Sequence, residues 1–204
     1  MSIDVLVCGI VIDRGSLTTG ERLMTRRARD KMELFLEVLA FSAHKHRAHR
    51  RKDRHASAYI NHPIALAKAL HNEGRVADSI TICAAILHDT VEDTKTTREE
   101  LVTAFGKSVA DIVMEVTDNK RLHKHTRKRL QIEHAPHLSH RAKLIKLADK
   151  ICNLRDIKSS PPVGWSRKRK QEYFDWAKQV VDGLRGVSPA LEHAFDREYR
   201  RRPR

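Results

Sequence analysis

Glycine and proline are scarce in this chain, eight and six residues out of 204, which leaves room for few turns. Cysteine is scarcer still. Cys8, Cys83 and Cys152 are too few and too scattered for a disulfide framework or a thiolate zinc site, and read as small apolar fillers. Aromatic residues make up only 5%, so platforms that stack the bases of single-stranded nucleic acid are not expected. No long apolar run exists. The early one, Val5 to Ile12, is far short of the ~20 residues that a membrane helix requires. It also lacks a preceding basic residue and so makes a poor signal peptide. The chain is expected in the cytoplasm, without a membrane partner. What it does have is charge: 40 Lys and Arg against 26 Asp and Glu, a net +14. That balance favours an anionic partner without saying which. With 40% apolar residues, wholesale disorder and collagen are excluded. A chain of this length can bury roughly 70% of its unfolded surface in one ordinary domain.

The apolar residues recur mostly at i, i+3, i+4, so the fold class is all-α, a single helical bundle. Helices are predicted near 31–48, 63–73, 76–90, 97–105, 107–117, 124–134, 138–155, 168–185 and 188–200. Thr97 with Glu100 suits a capping box, and Pro63 a first helical turn, which puts His62 near an N-cap. Residues 1–31 join no periodic face and read as an N-terminal extension, with Met24 and Met32 as alternative starts. Residues 32–196 form the domain, and 197–204 a basic tail expected to fray.

Three clusters carry chemistry. Between Val76 and Asp93 the sequence is VADSITICAAILHDTVED, apolar on nearly every side from Ile80 to Leu87, as a buried helix is. His88 and Asp89 close it, and a continued helical path lays Glu92 over His88 and Asp93 over Asp89. An Asp against a buried helix end needs a cation or strong donors. In LIKLADKICNLRD, 144–156, Leu144, Leu147, Ala148, Ile151 and Leu154 make an apolar stripe with Asp149, Asn153 and Asp156 at its edge. The third cluster is YINHP, 59–63. Taken singly, these are a helix-terminal turn, a solvated edge and a cap. Together, His62, His88, Asp89 and Asp149 are a mixed nitrogen and oxygen set without thiolate, which leans toward Mn²⁺ or Fe²⁺. Such a set leaves positions open for water and a substrate oxygen.

These residues resemble the H…HD…D signature of the HD phosphohydrolase superfamily. The fuller strings RRKD (50–53), YINHP (59–63), AAILHDTVEDT (84–94), FG (105–106), VTD (116–118) and KLADKICNLRD (146–156) are similar to the hydrolase domain of the RelA/SpoT alarmone enzymes. The single-domain branch, metazoan SpoT homologues and small alarmone hydrolases, is the nearer match, and GWS…EYFDWAKQVV (164–181) resembles it too. The resemblance covers roughly residues 33–195. It implies that His62, His88, Asp89 and Asp149 bind a metal, usually Mn²⁺ in this family. It implies further that Glu92 and Asp93 orient and deprotonate the attacking water. Arg51 would stack on guanine, Lys52 hold phosphates, Asn153 contact the ribose region and Tyr173 line the nucleotide pocket. The implied reaction removes the 3′-diphosphate of guanosine tetra- or pentaphosphate (ppGpp, pppGpp) as pyrophosphate, leaving GDP or GTP. Where the family commonly has a Gly-x-Pro turn, this chain has Arg54-His55-Ala56-Ser57-Ala58, beside the expected base pocket. No room is left for a synthetase domain. Two other readings stay open: the same site acting on the 2′-phosphate of NADPH, and a basic nucleic-acid-binding module in which the HD residues are structural. No helix-turn-helix or other nucleic-acid reading motif is visible, so specific nucleic-acid binding is not expected. The basic runs Lys45–Arg54 and Lys120–Arg129 either draw substrate in or are solvated helix faces.

Overall fold

The computed structural model describes residues 19–203, with side chains from residue 30 onward; the first part of the expected N-terminal extension, with Cys8, lies outside the described residues. Among them are ten α-helices and one 3-10 turn, and no strand. The order is α1 (Thr19–Lys45), α2 (Asn61–Asn72), α3 (Ser79–Leu87), α4 (Thr90–Asp93), α5 (Arg98–Phe105), α6 (Lys107–Val116), α7 (Lys124–His134), the 3-10 turn Ala135–His137, α8 (His140–Ser159), α9 (Arg167–Asp182) and α10 (Pro189–Arg200). The chain divides into two compact units at Glu37/Val38, where the sequence placed a boundary at 31/32. Of the first unit the leading part of α1 is described, a helix already formed at Thr19. The rest concerns the second unit.

At its centre lies α3. Asp78 caps its first turn by accepting from the Thr81 N–H, which sets the start three residues later than the predicted 76. From Cys83 to Leu87 every side chain is buried, and α2, α6 and α8 pack around it. The apolar stripe of α8, Leu144, Leu147, Ala148, Ile151 and Leu154, is buried as its spacing requires. Phe174 of α9 and Phe195 of α10 close the core behind α8.

Polar residues start these helices where the sequence supplies them. Thr97, Ser139, Ser166 and Ser188 each accept from the backbone N–H three residues on. Only half of the Thr97 capping box forms, because the Glu100 carboxylate binds Lys45 instead. α2 starts at Asn61 with Ile60 before it, so His62 lies inside the first turn and does not cap it. At the other end, the basic segment expected to fray from Arg197 is helical through Arg200, and Arg197 lies 3.3 Å from Glu73.

One predicted helix is broken. The segment read as 76–90 and continuing ends at Leu87, and α4 is a separate turn. Asp89 has φ −100° and ψ −3°, the sparsely populated bridge region. The Thr90 hydroxyl donates back to the Leu87 carbonyl at 2.6 Å, taking a partner that the helix ladder would use. The Asp93 N–H still reaches the Asp89 carbonyl at 2.8 Å, so Asp93 does follow Asp89 by one turn.

Candidate active site

Three helices deliver the core of the site. His62 comes from the start of α2, His88 from the end of α3, and Asp149 from the middle of α8. One ligand atom from each lies within 4.8 Å of the other two. His62 and His88 are buried. The His62 Nε2 is 3.2 Å from Asp149 Oδ1, and its Nδ1 is buried without a partner. Asp89, the fourth residue of the expected set, is not in this cluster of three. Its Oδ2 stands 2.9 Å from His88 Nε2 and accepts the Tyr59 hydroxyl.

The tautomer of His88 tests whether a cation fits. Its Nδ1 is 2.8 Å from the Ala85 carbonyl oxygen, which can only accept, so Nδ1 carries a proton. In the neutral ring Nε2 then presents a lone pair to the Asp89 carboxylate, which repels it. Positive charge must stand there, either as a second proton on the ring or as a cation. Without a metal the proton fills that role: burial opposes charge on His88, but Asp89 and Asp149 outweigh it and raise its pKa. Burial likewise opposes the charge on Asp89 and Asp149, yet the neighbouring histidines, with Lys150 for Asp149, hold both below the usual carboxylate range. Two imidazoles and two ionised carboxylates without thiolate fit a divalent first-row metal.

Asp149 is held from both sides. Its Oδ1 accepts from the Asn153 amide at 2.6 Å and its Oδ2 from Lys150 Nζ at 2.9 Å. Lys150 is itself buried, with its ammonium 4.6 Å from the Trp176 ring centroid. Glu92 is mostly buried. Its Oε2 accepts the Asp118 N–H at 3.1 Å and Oε1 faces Arg127 Nη1 at 3.4 Å. Burial first, then the charges of Asp118 and Asp89, raise its pKa above the ordinary 4.5. Asp93 faces outward and pairs with Lys120.

In front of the metal set opens a cleft of about 770 Å³. His62, Asp93 and Lys120 line it, and so do Arg51, Lys52, Asn153 and Tyr173, all four of the expected substrate-binding residues. Arg51 pairs with Asp156, and its guanidinium lies 5.7 Å from the Tyr59 ring centroid. Tyr173 stands between Trp165 and Trp176, at 5.8 and 5.2 Å between ring centroids. The loop without the Gly-x-Pro turn forms one wall. Arg50 and Ala58 pair across it, Asp53 Oδ1 accepts the His55 and Ser57 N–H groups at 2.8 and 3.2 Å, and Ala56 takes φ +46°.

The family described as HD domain matches residues 38–176. The chain belongs to the HD-domain family. Among its curated relatives, a guanosine-3′,5′-bis(diphosphate) 3′-pyrophosphohydrolase MESH1 of Xenopus tropicalis is 56% identical over 163 residues, 80% of this chain and 91% of that one. The Homo sapiens protein of the same name is 53% identical over 167 residues, covering 82% and 93%. A solved structure of a metazoan ortholog of SpoT, described as hydrolysing ppGpp and acting in starvation responses, superposes with a TM-score of 0.81. It is 48% identical, over 83% of this chain and 95% of that one.

Several residues of this HD-domain site carry roles that the sequence did not reveal. Lys150 lay inside a quoted string without a role, and it is buried against Asp149. Its signal was positional, since it falls three residues after Leu147 and four before Leu154, on the apolar stripe. Tyr59 lay inside a quoted string without a role, and its hydroxyl holds Asp89. Asp156, seen only as a stripe edge, holds Arg51. Arg127 and Lys120, one each on the two carboxylates Glu92 and Asp93, come from the basic run Lys120–Arg129, whose charge was legible but whose pairing with these carboxylates was not. Cys83 and Cys152 are buried; burial foremost pushes their thiols up to about 11 and about 12, in keeping with inert fillers.

Proposed function

We propose that this HD-domain protein is a cytoplasmic, metal-dependent hydrolase that removes the 3′-diphosphate of ppGpp and pppGpp, with Mn²⁺ as its resident ion. The observation that carries this reading is the opening of the His62, His88 and Asp149 cluster, through His62, onto a cleft lined by Arg51, Lys52 and Lys120. A guanosine polyphosphate is both long and highly anionic, and needs cations beside the reacting phosphorus. The printed activity of relatives 53–56% identical over about four-fifths of the chain supports the same substrate.

His62, His88, Asp149 and Asp89 would hold the ion. Bound there, it would polarise a phosphoryl oxygen and acidify a water. Glu92 accepts the proton of the attacking water, its carboxylate fixed by the Asp118 N–H and Arg127. Asp93 orients that water from the cleft side. The water oxygen bonds to the phosphorus carried by the ribose 3′-oxygen, the bond between them breaks, and the 3′-oxygen takes up a proton as pyrophosphate leaves. Arg51 holds the purine, Lys52 the phosphates, Asn153 the ribose region, and Tyr173 closes the nucleotide pocket.

The test offers ppGpp, pppGpp and NADPH side by side to the purified protein with Mn²⁺, and resolves the products by ion-exchange chromatography. Pyrophosphate and GDP from ppGpp are expected. Inorganic phosphate from NADPH with ppGpp untouched would reassign the substrate. No turnover of any of the three, with salt-resistant and sequence-selective binding of nucleic acid instead, would make the protein a binding module.

A further inference from the structure

Of the two carboxylates at 92 and 93, only Asp93 faces the cleft, and it is not free. Lys120 sits on its Oδ1, while both residues line the cleft. The pair lies at the surface of the site, with side-chain exposures of 48% for Lys120 and 21% for Asp93. An ion pair of that exposure holds its partners only weakly. Lys120 stands in the non-helical segment between α6 and α7. There the backbone is pinned by its neighbour: Asn119 Oδ1 accepts the Arg121 N–H at 3.0 Å, and the Asn119 carbonyl accepts the Leu122 N–H at 3.1 Å. The chain around Lys120 is therefore fixed while its four-carbon side chain remains able to swing.

We propose that Lys120 is a substrate-binding residue that exchanges Asp93 for the diphosphate being removed. Without substrate it neutralises Asp93. When the 3′-diphosphate enters, a group of higher charge competes for the ammonium, Lys120 moves onto the phosphate oxygens, and Asp93 is released to orient water. The other cations of the wall have different places: Lys52 shares the phosphates in the proposed reaction, Arg51 pairs with Asp156, and Arg50 donates to the Arg47 and His49 carbonyls. The inference rests on the proposed reaction, because it assigns Lys120 to that substrate's leaving group.

The test compares Lys120→Gln and Lys120→Arg with the wild-type protein, measuring KM and kcat for ppGpp and inhibition by added pyrophosphate at constant free Mn²⁺. Lys120→Gln should raise KM and the pyrophosphate inhibition constant together, each fivefold or more, and flatten the rise of KM with added KCl. Lys120→Arg should keep both constants within about twofold of wild type, because the charge is retained. If Lys120→Gln leaves KM and pyrophosphate inhibition within twofold of wild type, Lys120 does not bind the diphosphate and the inference is overturned. The same holds if Lys120→Arg is as impaired as Lys120→Gln. Failure of the underlying reaction looks different: the wild-type protein itself would then release no pyrophosphate from ppGpp.

Discussion

The floor of the cleft and its rim are built on opposite principles. On the floor, His62, His88 and Asp149 project from three packed helices, and buried neighbours such as Lys150 fix their orientation. On the rim, Arg51, Lys120 and Asp93 belong to loops or a helix end and are held by ion pairs reaching solvent. Removing one partner of a buried pair leaves a stranded charge and costs about 3–5 kcal/mol, whereas an exposed pair is worth about 0–1 kcal/mol. The floor is thus organised before anything binds, and the rim is free to change partners. A phosphohydrolase needs both, since its metal must stay and its substrate must leave.

The sharpest test of that division is removal of a floor ligand. Asp149→Ala or His88→Ala should lower turnover at least about a thousandfold, because metal and activity go together. Metal content by mass spectrometry, read beside the hydrolysis rate, checks it; full metal and full rate in Asp149→Ala would end the assignment. Next comes Glu92→Gln, expected to keep its metal while kcat falls roughly a hundredfold, the scale of a lost general base. Because its carboxyl is raised above the ordinary 4.5, wild-type kcat should drop as pH falls through a midpoint above that value. A pH profile whose acid limb is unchanged in Glu92→Gln would reassign the base.

Stability separates the two lysines. Lys150→Met strands Asp149 and should lower the unfolding free energy in urea by about 3 kcal/mol in metal-free protein, while Lys120→Gln should change it by under about 0.5 kcal/mol. Equal losses would erase the distinction between floor and rim. Arg51→Ala should raise KM about tenfold with kcat nearly constant, as for a contact made alike in ground and transition states. An effect of pH rather than of a lost contact is expected at His46, whose ring stacks on Tyr59. Burial, its largest influence, lowers its pKa to about 4 from the ordinary 6.5. The unfolded chain therefore takes up the proton first as pH falls below 6.5. The stability that neutral His46 contributes is whole above that pH and is lost toward pH 4. His46→Phe should flatten the fall in urea midpoint over that window.

How much of this was legible in the sequence also follows the division between floor and rim. Periodicity located the helices that form the floor, because burial writes itself into spacing at 83–87 and 144–154. It failed at Thr19–Asp30, where α1 is formed but its residues are chiefly polar and carry no stripe. It failed again at His88–Asp89, where a side-chain hydrogen bond from Thr90 and the needs of the site override propensity. The four putting-together positions of the metal set were named from the HD pair and its spaced partners, and the structure gathers three of them while leaving Asp89 against His88. The rim was the harder part. Lys120 lies 27 residues from Asp93 and Asp156 105 from Arg51, and no local pattern reports a partner at that distance.

Ala56 gives the cleft wall a peculiar mutational grammar. Its backbone sits at φ +46°, where an L side chain is disfavoured by roughly 1–2 kcal/mol and glycine is not. Its side chain is exposed, so neither size nor polarity should rank the replacements there. In a saturation library sorted for folded protein, Gly, Asn and Asp should rise above Ala, and Val, Ile and Thr should fall to the bottom. An exposed position would then behave as selectively as a core one, and for a reason that no inventory of its neighbours contains.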